Sequence, residues 1–74
     1  MNTEEAHLAS SARALAESGA ARSIRIAARL SLAEMASLVQ IAPSTLSRYE
    51  RSQRSPRAEQ AVRYGRVLAE LTSR

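Results

Sequence analysis

The chain has 74 residues, a formal charge of +4, no cysteine and a single histidine, His7. That length holds one domain at most, and helices with local contacts are the natural way to build so small a core. The missing cysteines exclude a disulfide or a thiolate metal site, and His7 has no neighbour that would complete a metal site or a catalytic dyad.

Met1 to Glu5 carries two acids and no basic stretch, and no apolar run reaches the length of a signal peptide or a membrane span. The expected location is therefore the cytosol, of a bacterial cell or a phage-infected host. The first predicted helix covers about 4–17, with Leu8, Ala12 and Leu15 on one face and Gly19 as its C-cap. Its alanines favour helix but bury little area. Residues 21–29 form a second helix, in which Ala21, Ile24, Arg25 and Ala28 share a face. Ser31-Leu32-Ala33-Glu34 then reads as a capping box that opens a third helix. Met35, Leu38 and Val39 are expected to face inward, with the small Ala36 at a close helix crossing.

Gln40-Ile41-Ala42 is the predicted turn, and Pro43 suits the first position of a fourth helix, 43–51. That helix is expected to bury Leu46 and Tyr49 and to expose Ser44, Thr45, Ser47, Arg48 and Arg51. Residues 52–57 make a polar linker. A last helix, about 57–72, carries Ala61, Tyr64, Gly65, Leu68 and Leu71 as its apolar stripe, with Val62 and Val67 on the shoulders. Gly65 costs roughly 1 kcal/mol against alanine inside a helix, and a close crossing would explain its presence. Tyr49 and Tyr64 are read as core aromatics whose hydroxyls reach solvent.

The elements sum to an all-α fold: a compact domain of four to five helices containing a helix-turn-helix. Residues 1–20 are read as an N-terminal helical extension and 21–74 as the main unit. Charge follows the same division. Residues 1–20 set Glu4, Glu5 and Glu17 against Arg13, whereas 21–57 set seven arginines against Glu34 and Glu50. A polyanion-binding face needs that concentration. All eleven basic residues are arginine. Arginine suits bidentate contacts to phosphate and guanine. The fifteen alanines suggest that a GC-rich genome accounts for the choice of arginine, but not for its clustering.

The run Ile24-Arg25, Leu30-Ser31-x-x-Glu34-Met35-Ala36, Ile41-x-x-Ser44-Thr45-Leu46-Ser47-Arg48-Tyr49-Glu50-Arg51 and Arg54-x-Pro56 resembles the lambda-repressor-like helix-turn-helix family, also called the Cro/C1 or XRE type. The likeness covers about 22–57 directly and the last helix loosely; residues 1–20 have no clear counterpart. It implies that 43–51 is a recognition helix for the major groove of double-stranded DNA. It also implies an internal ion pair between Arg25 and Glu50. The chain departs from the family pattern at four positions. Gln40 stands where glycine is common, so a positive φ is expected there at some cost. Ala42 replaces a capping serine, Leu32 replaces a glutamine that touches the DNA backbone, and Pro43 replaces a base-reading polar residue. Base reading shifts to Ser44, Thr45, Ser47 and Arg48, with Arg48 first because bidentate arginine–guanine pairs are the commonest specific contact. Arg51, Gln53, Arg54 and Arg57 are assigned to phosphate, and Arg22 and Arg29 are weaker backbone candidates.

The expected function is a sequence-specific regulator of transcription, a repressor that occupies an operator. The expected partner is double-stranded DNA, with no enzyme activity, cofactor, metal, membrane or small-molecule ligand. A homodimer on two half-sites, a monomer on an asymmetric site, and a DNA-binding part of a longer repressor all stay open. The competing reading is a protein–protein adaptor or antitoxin-like module, motivated by the alanine-rich first helix.

Overall fold

The computed structural model of the chain describes residues 1–73. These form five α-helices and no strand: α1 (Thr3–Ser18), α2 (Ala20–Ala27), α3 (Leu32–Val39), α4 (Pro43–Glu50) and α5 (Ala58–Thr72). α1 starts one residue earlier than the predicted helix because Asn2 caps it. The Asn2 side-chain oxygen accepts from the Glu5 amide at 2.8 Å, and the Glu5 carboxylate accepts from the Asn2 amide at 3.1 Å. Gly19 ends α1 in the left-handed region, at φ 87°. Ser31 and Glu34 form the predicted capping box on α3, at 3.0 and 2.8 Å. The Ser31 backbone N–H and hydroxyl hold the Glu34 carboxyl below its ordinary pKa. The stabilisation it brings is therefore complete above the usual glutamate range and fades as pH falls through the lowered value.

α2, α3 and α4 all end by the same device. After each, one residue turns left-handed: Arg29 at φ 60°, Gln40 at φ 64° and Ser52 at φ 58°. Two backbone N–H groups then fold back onto the last carbonyls, for α3 from Gln40 to Ser37 at 3.2 Å and from Ile41 to Ala36 at 3.0 Å. This is the Schellman arrangement, which glycine makes most easily. Gln40 carries the backbone cost of the helix-turn-helix turn, roughly 1–2 kcal/mol for an L-residue. Gln40→Gly should therefore stabilise the domain by about 0.5–1 kcal/mol after the extra unfolded-state entropy is subtracted. A rise of several degrees in the melting temperature is the expected readout, and a fall would show that the glutamine side chain supports the turn.

α1 lies along α5, and α2, α3 and α4 close the remaining sides. The main core holds Ala12, Ala16, Ala21, Met35, Ala36, Val39, Leu46, Tyr49, Tyr64 and Leu68. The face α1 turns inward differs from the predicted one. Ala9, Ala12 and Ala16 are buried, while Leu8 and Leu15 pack only partly against the core. The cause is the closeness of α5: a Cβ on Gly65 would meet the Leu8 carbonyl oxygen, so only alanine fits along the contact line. The two tyrosines supply the volume that these alanines lack. Their rings stack at 5.8 Å between centroids, and both side chains are fully buried.

Two further expectations are corrected. Leu38 does not face inward; it is 53% exposed. Met35, Ala36 and Val39 fill the inner face of α3, and Leu38 is left on the rim of a shallow groove with Val67 and Leu71. The tyrosine hydroxyls do not reach solvent. Tyr49 donates to the Gln60 side-chain oxygen at 2.5 Å, whereas the Tyr64 hydroxyl is buried without a partner among the described residues. Burial pushes the Tyr64 hydroxyl pKa well above its ordinary value.

Candidate nucleic-acid interface

α3 and α4 are joined by the three-residue turn Gln40-Ile41-Ala42. Ala42 has extended backbone angles but makes no side-chain cap, and Pro43 follows at the first helical position. Proline at that position leaves one fewer N–H without a partner, and the Thr45 amide donates to the Ala42 carbonyl at 3.0 Å. The Arg63 guanidinium, reaching over from α5, satisfies the other end of the turn. Its Nε donates to the Val39 carbonyl at 2.9 Å and its Nη2 to that of Gln40 at 3.4 Å. A cation at a helix C-terminus also complements the helix dipole.

Every turn of α4 separates an inner from an outer side. Leu46, Tyr49 and Glu50 are buried. Ser44 and Arg48 are exposed one turn apart on the outer line, with Thr45 and Ser47 half-buried on either side of it. The four residues assigned to base reading thus share one face. Arg51, Gln53, Arg54 and Arg57 are all exposed beyond it, in the segment running from the end of α4 to the start of α5. Among the described residues, no acid lies within ion-pair distance of Arg48, Arg51, Arg54 or Arg57. Their charge is therefore free for a polyanion. Arg22 and Arg29 are exposed too, on and just after α2.

Arg25 and Glu50 are placed differently. The Arg25 Nε and Nη2 donate to the two Glu50 carboxylate oxygens at 2.7 and 3.0 Å, and Nη1 donates to the Leu30 carbonyl at 3.0 Å. The side chains are 12% and 4% exposed. The hydrogen bond to Glu50 raises the Arg25 pKa against the opposing effect of burial. This bidentate pair ties α4 to α2 and removes Glu50 as a source of repulsion for an incoming phosphate.

Arg63, Gln60 and Arg13 escaped the sequence reading. Arg63 caps α3, Gln60 takes the Tyr49 hydroxyl, and Arg13 donates from Nε to the Pro56 carbonyl at 2.9 Å. Each partner is distant in the chain, and no local pattern marks such pairings.

The helix-turn-helix family profile matches residues 22–71, most of the chain, and leaves α1 outside the match. No curated protein and no solved structure matches the chain. Among the described residues, no helix is long and apolar enough to cross a membrane and no cluster of acids and histidine could hold a metal. With a matched segment that runs from α2 through the α3–turn–α4 pair to α5, the chain belongs to the Cro/C1-type, lambda-repressor-like family of helix-turn-helix DNA-binding regulators.

Proposed function

We propose that the protein is a sequence-specific regulator of transcription that binds double-stranded DNA through α4 and acts as a repressor by occupying an operator. The observation that carries this reading is the outer face of α4, where Ser44 and Arg48 are exposed and a run of arginines with no acid partner among the described residues continues past the helix end. Arg48 is long enough to reach a guanine edge, and its fork matches the O6 and N7 acceptors. Ser44, Thr45 and Ser47 offer hydroxyls to bases or phosphates on either side. Arg51, Gln53, Arg54 and Arg57 would hold the backbone and set the register without reading sequence. The adaptor reading rests on α1, but Ala9, Ala12 and Ala16 are already used inside the fold, and of its alanines only Ala6 and Ala14 stay exposed.

Selection of binding sites from random duplexes, at fixed salt and with competitor DNA, tests the proposal. The wild-type protein should enrich one sequence. A palindrome with half-sites about 34 Å apart would report a dimer, and an asymmetric site a monomer. Arg48→Ala should relax preference at one base pair, by about 1–3 kcal/mol of discrimination. Arg54→Ala should weaken all sites alike and lower the salt slope by about 0.9. If Arg48→Ala instead weakens every site equally, Arg48 holds phosphate and reads no base.

A further inference from the structure

We propose that α1, which lies outside the family match, is a brace that holds the 52–57 segment ready for the DNA backbone, with Arg13 as its positioning residue. The inference rests on the DNA-binding reading above. The segment Ser52-Gln53-Arg54-Ser55-Pro56-Arg57 is polar and, apart from Pro56, exposed. A surface segment of this composition is ordinarily mobile. Ordering it on a phosphate would then draw on binding free energy.

α1 ties the segment down at both ends. Near its far end, Arg13 Nε donates to the carbonyl of the buried Pro56 at 2.9 Å. Near its start, the Ser52 hydroxyl donates to the Glu17 carbonyl at 3.3 Å. Glu17 lies in the last turn of α1, where carbonyls have no partner within the helix, so the loop supplies a donor that the helix end lacks. The identity of Ser52 supports this role. It is left-handed, at φ 58°, a position at which glycine would be relaxed. A glycine there would have no hydroxyl to give. Arg13, Ala16, Glu17, Ser52, Arg54 and Pro56 line one cleft between α1 and the segment. Arg54, assigned to phosphate, thus sits in the part of the loop that α1 grips.

Arg13→Ala tests the brace in the full chain, with two readouts. The first needs no DNA: the Ser52 and Gln53 amides, bonded to the Tyr49 and Arg48 carbonyls at 3.1 and 2.8 Å, should exchange hydrogen faster in the variant. The second is affinity for a duplex carrying the selected site, which should fall about five-fold, the equivalent of one net hydrogen bond. In an Arg54→Ala, Arg57→Ala background that loss should largely vanish, because Arg13 acts through those residues. Val62→Ala serves as the stability control. It should lower the melting temperature yet leave affinity unchanged where the protein is still folded. Unchanged amide exchange in Arg13→Ala would overturn the brace. So would faster exchange with unchanged affinity, or additive losses, which would make Arg13 a phosphate contact in its own right. Failure of the wild-type protein to bind any duplex would instead overturn the DNA-binding reading, and it is told apart because the exchange result does not depend on DNA.

Discussion

Gly65→Ala is expected to lower the melting temperature by roughly 10–20 °C, although alanine is the better helix former. A Cβ at position 65 would lie 2.1 Å from the Leu8 carbonyl oxygen and 2.7 Å from its carbon. Both are backbone atoms inside α1, so no rotamer change relieves the overlap and α1 itself must move off α5. Overpacking typically costs about 1–3 kcal/mol, and a clash against a helix backbone belongs at or above the top of that range. Helix propensity returns roughly 1 kcal/mol. The net loss is then about 2–3 kcal/mol, with each kcal/mol worth about 4–8 °C in a domain of this size. Thermal denaturation followed by circular dichroism measures it directly. A variant that melts at or above the wild-type temperature would mean that α1 and α5 do not cross at Leu8 and Gly65.

Glu50→Ala is expected to be more damaging still. The substitution leaves the Arg25 guanidinium largely buried, with only the Leu30 carbonyl as partner. Breaking one side of a buried pair typically costs about 3–5 kcal/mol. A chain of this length has roughly 4–11 kcal/mol in total. That loss is a large share of the stability, so the variant should unfold at a much lower urea concentration than the wild type and lose DNA binding wherever it is unfolded. The cost lies in the stranded charge, so replacing both partners by apolar residues of similar size should recover much of the stability. The double variant Arg25→Met, Glu50→Leu is accordingly expected to melt well above Glu50→Ala. Urea denaturation of the wild-type protein and both variants checks the order. A single variant as stable as wild type would show that the pair does not hold α4 to α2.

Features set by neighbouring residues were legible in the sequence. Gly19, the Ser31–Glu34 capping box and Pro43 marked helix boundaries because each acts through backbone groups within one turn. Inner and outer faces of α4 followed from helical spacing. What escaped depends on how helices approach one another. Gly65 signalled a close crossing, but nothing local named Leu8 as its partner. Leu38 looked inward by spacing, yet α3 is rotated so that Met35, Ala36 and Val39 fill the contact. The tyrosines read as core, but the burial of their hydroxyls depends on Gln60 and on the tight α1–α5 packing. The roles of Arg13 and Arg63 were hidden for the same reason, since each meets a carbonyl on a distant part of the chain. An exposed arginine and one that caps a helix look identical until the partner helix is in place.

Amide chemical shifts of the labelled protein, recorded as a duplex bearing the selected site is added, test the central claim most directly. Residues 43–57 should move most, with Ser44, Thr45, Ser47 and Arg48 sensitive to a change of one base pair and Arg54 and Arg57 indifferent to it. Shifts confined to the outer surfaces of α1 and α5, with 43–57 left unmoved, would contradict the account.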